Sequence, residues 1–167
     1  MRSDAELYAL SEQVGAYLRE RTAMLVTAES CTGGWIGKVL TDVAGSSVWY
    51  RGGVVSYSNA LKESLLGVSR ETLLTQGAVS EETARKMALG ALEQLGGDVA
   101  VAVTGIAGPD GGTPEKPVGT VWFGWAWRIG SAQQVRTALQ LFSGSREDVR
   151  RATVHRALSE ILRIDVK

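Results

Sequence analysis

The sequence predicts an α/β protein, a three-layer α/β/α single domain with a mixed sheet that spans residues 1–167. Three observations carry that prediction. Short apolar runs alternate with amphipathic stretches of helical period through the first hundred residues, the pattern of strand–helix units. Two strand-like runs then follow one another about a short turn near Gly130, an antiparallel hairpin that makes the sheet mixed. No linker and no internal repeat divides the 167 residues, a length suited to one domain.

The elements follow in chain order. Residues 4–20 place Leu7, Leu10, Val14 and Leu18 on one helical stripe, with Ser3 as cap. Residues 23–28 are a short apolar run, read as a buried strand, and a helix is expected from Gly33 to Val43. Between them lie Glu29, Ser30, Cys31 and Thr32. Residues 49–57 suggest a strand with a Gly-Gly bulge, followed by short helices at 59–66 and 70–76. Residues 81–95 form a helix capped by Ser80, acidic in its first turn and ended by Gly96-Gly97. The small alternating residues of 98–104 suit a central strand. The run 105–117 is too rich in Gly and Pro for regular structure. Strands at 118–127 and 133–142 form the hairpin, and Ser145 with Asp148 resembles a capping box that opens a last helix to about Arg163.

Composition narrows the function classes. Eighteen basic and 18 acidic residues give a formal net charge of zero, which argues against a general nucleic-acid binder. A single cysteine, Cys31, forms no internal disulfide and fits a reducing cytoplasm. The N-terminus has no apolar signal region, and no apolar run approaches the ~20 residues that span a bilayer, so neither secretion nor a membrane partner is expected. One His and one Cys make a zinc site of the usual kind improbable, and no metal or other cofactor is expected.

The first candidate for chemistry is the strand–turn–helix around Ser30. A polar residue on such a turn is presented at the sheet's end, beside the free N–H groups of a helix start. That arrangement suits a nucleophile with an oxyanion hole built from residues 31–34 (Cys31, Thr32, Gly33 and Gly34), or a phosphate site. A plain helix cap is the ordinary alternative for Ser30. Cys31 is a second possible nucleophile, and a buried structural thiol is its commoner fate. The only histidine, His155, sits mid-helix among arginines, which leaves lysine as the possible base. Lys38 and Lys86 occupy ordinary helix positions, Lys116 a loop, and Lys167 the terminus. Lys62 starts the helix after residue 57 and could face the same sheet edge as Ser30, the ordinary alternative being a solvated lysine. Thr104 with the glycines of 105–112, Gly105 and Gly108 among them, is a second candidate as a backbone nest for phosphate or ribose. Arg146, opening the last helix, is a third, as a phosphate clamp. The five tryptophans read mostly as core, with Trp122 or Trp125 able to stack on a base.

Five segments occur in one order: Ala28-Glu-Ser-Cys-Thr-Gly-Gly34, Tyr57-Ser-Asn-Ala-Leu-Lys62, Gly77-Ala-Val-Ser80, Thr104-Gly-Ile-Ala-Gly-Pro-Asp-Gly-Gly112 and Lys116-Pro-Val-Gly-Thr-Val121. Together they resemble the C-terminal domain family of the competence/damage-inducible protein CinA, over about residues 5–163. The resemblance implies a cytoplasmic, metal-free homodimeric enzyme that hydrolyses the carboxamide of nicotinamide mononucleotide to nicotinate mononucleotide and ammonia. It implies Ser30 as nucleophile, Lys62 and Tyr57 as its activating partners, and Thr104 and Arg146 completing the site. The N-terminal domain of the two-domain relatives is not in this sequence, so a competence role is not expected. A catalytically inactive nucleotide-binding regulator is the alternative reading.

Overall fold

The computed structural model describes residues 3–166; Met1, Arg2 and Lys167, one of the five lysines weighed above, lie outside it. Helix α1 (Asp4–Glu20) leads to β1 (Leu25–Glu29), α2 (Trp35–Thr41), a single 3₁₀ turn and β2 (Tyr50–Val55). Helices α3 (Asn59–Leu66), α4 (Arg70–Thr75) and α5 (Glu81–Gln94) come next. Strands β3 (Val99–Gly105), β4 (Thr120–Ile129) and β5 (Ala132–Leu141) and helix α6 (Arg146–Ile161) complete the order. The strands form one sheet in the order β2-β1-β3-β4-β5, parallel across β2, β1 and β3 and antiparallel across β4 and β5. It is the mixed sheet the late hairpin predicts, and β3 takes its centre.

Alternation along the strands explains the three layers. Leu25, Val99, Val101, Val103, Phe123 and Trp125 meet α1, α2 and α6 on one face. Val26, Ala28, Ala100, Ala102 and Ala126 meet α3–α5 on the other. Small side chains on that second face let α5 lie close: a Cβ at Gly124 would strike the Ala84 carbonyl. Trp125 stacks on Phe123 at 5.3 Å and donates its indole N–H to the Ala157 carbonyl, so it is a core residue and not a base-stacking one. Ser3, Ser58, Ser80 and Ser145 cap their helices, the first and last in reciprocal capping boxes.

Glycines set two of the boundaries that depart from the sequence reading. The expected helix at 33–43 shrinks to Trp35–Thr41, because Gly33 and Gly34 have φ of +61° and +96°, outside the right-handed helix region. The β4–β5 pair runs 120–129 and 132–141 and turns at Gly130-Ser131, with φ of +59° at the glycine. The bulge expected in 49–57 is present: the β1–β2 register skips one residue between Tyr50 and Gly52.

Candidate active site

Strand β1 extends one residue beyond the expected run and ends on Glu29, so Ser30 follows directly at the carboxyl end of the parallel strands. The Ser30 amide donates to the Val103 carbonyl at 3.1 Å, which ties the turn to β3. Ser30 is not the helix cap that the simplest reading of the turn would make it. The N-cap of α2 is Gly34, with no side-chain cap bond.

The helix start is satisfied from within by Glu29, which is 2% exposed. Its Oε2 accepts from Thr32 Oγ1 at 2.6 Å, from the Gly34 amide at 3.1 Å and from the Ile36 amide at 3.0 Å. Its Oε1 accepts from the Gly37 amide at 2.8 Å. A carboxylate on these amides is where the helix dipole favours negative charge. From the opposite side, Arg150 of α6 donates Nε to the Cys31 carbonyl at 3.1 Å and Nη2 to the Thr32 carbonyl at 2.8 Å. With Gly34 committed to Glu29 and Gly33 to the Ser30 carbonyl, the oxyanion donors expected over 31–34 narrow to the amides of Cys31 and Thr32. Exchanging Glu29 for Gln places an N–H₂ or loses an acceptor where four donors converge. The expected result for Glu29→Gln is a loss of about 1–3 kcal/mol, a fall in Tm of several degrees by thermal denaturation. An unchanged Tm would refute this account of the turn.

Lys62, on the first turn of α3, is 1% exposed and faces Ser30. Its Nζ lies 3.1 Å from Ser30 Oγ, 2.7 Å from the Ser56 carbonyl and 3.3 Å from the Tyr57 carbonyl. Among the described residues it has no carboxylate partner. Burial pushes its pKa below the ordinary lysine value, the nearby Cys31 opposing the shift. The three oxygens that accept from Nζ are the Ser30 hydroxyl and two backbone carbonyls. Cys31 is 6% exposed, and burial pushes its thiol up to about 12. That is the buried structural cysteine of the two readings, not an activated thiolate.

Ser30, Lys62 and Cys31 line a pocket of about 190 Å³ with Tyr57, Thr104, Gly105 and Arg146. Thr104 is buried and donates Oγ1 to the Ala78 carbonyl at 2.7 Å, holding the 77–80 segment against the pocket. Arg146, the first residue of α6, donates to the Gly108 carbonyl at 2.7 Å and to the Tyr57 hydroxyl at 3.3 Å. Its other guanidinium N–H groups are not used in these two bonds. Among the described residues, no group of three or more His, Cys, Asp or Glu is placed to hold a metal ion, and no helix is long and apolar enough to cross a membrane.

The model of the CinA C-terminal domain family matches residues 7–164. The chain belongs to the CinA C-terminal domain family. Among the relatives of this CinA-family chain are two proteins named nicotinamide-nucleotide amidohydrolase PncC. The one from Escherichia coli strain K12 is 52% identical over 95% of this chain and 94% of its own. The one from Enterobacter agglomerans is 53% identical over 99% of each. A solved structure, the competence damage-inducible protein A of Klebsiella pneumoniae, superposes with a TM-score of 0.88 at 39% identity, covering 94% of this chain and 95% of its own.

Of the residues the CinA resemblance implied, Ser30, Lys62, Tyr57, Thr104 and Arg146 come together around one pocket. Tyr57 meets the site at two atoms. Its carbonyl meets Lys62, and its exposed ring carries the hydroxyl to Arg146. Thr32 is buried and turned to Glu29, Gly33 lines a neighbouring cleft with Trp35 and Arg150, and Gly108 meets the site through the Arg146 bond. His155 of α6 does not line the pocket. Sequence reasoning missed Glu29 and Arg150. Glu29 offers no signal beyond its place in the first segment, whereas Arg150 lies one helical turn after Arg146 on the same face.

Proposed function

We propose that this chain hydrolyses the carboxamide of nicotinamide mononucleotide to nicotinate mononucleotide and ammonia, through an acyl-enzyme on Ser30. The similarity to amidohydrolases of that name supports the substrate. The observation that carries the mechanism is the Lys62 amine, buried without a carboxylate and 3.1 Å from Ser30 Oγ.

Ser30 Oγ attacks the carboxamide carbon while Lys62 Nζ takes the hydroxyl proton. The amides of Cys31 and Thr32 receive the negative oxygen that develops. Lys62 then gives its proton to the amide nitrogen, the C–N bond breaks, and ammonia leaves a serine ester. Water attacks that ester with Lys62 again accepting a proton, the acid departs, and the proton returns to Ser30. Tyr57 and the Gly108 carbonyl hold Arg146 at the mouth of the pocket, where its free N–H groups serve the nucleotide phosphate. A homodimer working in the cytoplasm without nucleic acid is part of this reading and rests on the family resemblance.

The test is ammonia release from nicotinamide mononucleotide, nicotinamide riboside and nicotinamide in parallel. Turnover of the mononucleotide well above the other two is the expected result. Calorimetric binding of the mononucleotide with no ammonia would instead establish a nucleotide-binding regulator. Arg146→Ala is expected to raise KM for the mononucleotide by roughly ten- to a hundredfold and to change the riboside little. Equal effects on both substrates would take the phosphate away from Arg146.

A further inference from the structure

The parallel register places three hydroxyl residues side by side. Glu29 of β1 pairs with Val55 of β2 and with Val103 of β3. The ladder continues one step, with the Ser56 amide on the Glu29 carbonyl at 2.8 Å and the Ser30 amide on the Val103 carbonyl. Ser56, Ser30 and Thr104 therefore form a row at the strand ends, on the face that carries Val54, Ala28 and Ala102. Ser30 is bonded to Lys62, and Thr104 to Ala78. Ser56 is fully buried, and its hydroxyl has no hydrogen-bond partner. A buried hydroxyl without a partner lowers stability, and alanine would fill the same place without that cost.

The resting state does not use this hydroxyl, but the reaction makes a state that lacks an acceptor. When Lys62 takes the Ser30 proton, its amine becomes an ammonium with three N–H groups. Two remain on the Ser56 and Tyr57 carbonyls. The third faces Ser30 Oγ, which is becoming an ester oxygen and a poorer acceptor. We propose that Ser56 is a positioning residue whose hydroxyl accepts that third N–H and holds the Lys62 ammonium until its proton passes to the leaving nitrogen. Ser56 keeps its own proton throughout. The Lys62 Nζ already lies 2.7 Å from the carbonyl of the same residue, so amine and hydroxyl belong to one buried neighbourhood. The inference rests on Lys62 being the proton acceptor of the proposed function.

The other titratable groups around Lys62 are Cys31 on the Ser30 turn, Tyr57 before α3, Arg146 of α6, Glu29 beneath the turn and Glu63 on its own helix. Lys86 of α5 is held by Ser69 and Thr72. All of these stay in place in a Ser56→Ala variant. That variant is expected to keep or raise Tm, to leave KM within about twofold, and to lower kcat roughly ten- to a hundredfold. The acid limb of its kcat/KM profile moves to lower pH, because the charged form of Lys62 has lost an acceptor. Lys62→Met is measured beside it. If Lys62→Met is inactive while Ser56→Ala keeps the wild-type rate, or loses rate without moving the limb, the Ser56 assignment is wrong and the base assignment stands. If Lys62→Met remains active, both are wrong.

Discussion

Replacing Ser30 with Ala is expected to lower ammonia release by about 10⁴-fold or more, with the fold intact. The magnitude follows from the behaviour of nucleophile–base units, in which loss of the nucleophile leaves only the contribution of binding and oxyanion donors. The fold survives because the bonds that set the turn do not involve Ser30 Oγ. The Ser30 amide stays on Val103, and Glu29 and Arg150 still hold residues 31–37. The neighbouring thiol does not substitute, since burial pushes Cys31 up to about 12 and leaves it protonated at neutral pH. The measurement is single-turnover and steady-state ammonia release, with Tm as the control for folding. Activity near wild type would remove Ser30 as nucleophile, and loss of it in Cys31→Ala would then move the role one residue along.

Lys62→Met is expected to lose activity by a comparable factor and to gain stability. Methionine fills the lysine's apolar path through the core without an amine to desolvate. The stability effect has a definite pH dependence. Burial lowers the folded-state pKa of Lys62 below its unfolded value of 10.5. Between the two values the unfolded chain binds the proton and the folded protein does not, so wild-type stability rises as pH rises through that window. Below the folded-state value the penalty is constant and at its full size. The two proteins should therefore differ most in stability below the folded-state pKa of Lys62, with Lys62→Met the more stable, and converge as pH approaches 10.5. A wild-type protein that melts above Lys62→Met at neutral pH would mean that Lys62 carries its charge comfortably, which a resting base does not.

The layers of this fold were legible because burial imposes period on sequence. The Val/Ala alternation of 98–104 tells which strand is central and which face takes a close helix, and β3 with α5 has that arrangement. Helix starts were legible wherever a serine side chain does the capping. The start of α2 was misplaced because Gly33 and Gly34 take positive φ and the amides that follow are held by the Glu29 carboxylate, and neither carries a sequence signature. Ser30 and Lys62 were each visible as chemically able residues, yet nothing in their 32-residue separation shows that they meet. The parallel pairing of β1 with β2 and the inward turn of α3 bring them together, and only the family resemblance named the pair beforehand. Ser56 carried no signal at all, because an orphaned hydroxyl exists only in three dimensions.

The carboxylate of Glu29 also closes the start of α2 to other anions. It occupies the helix end that would otherwise welcome a phosphate, and it does so 2% exposed and fully bonded, beyond reach of displacement. The pocket itself is lined by Arg146, whose guanidinium is bonded to the Gly108 carbonyl and the Tyr57 hydroxyl. Under the proposed function, the phosphate of a nucleotide would be met by Arg146 and not by the start of α2.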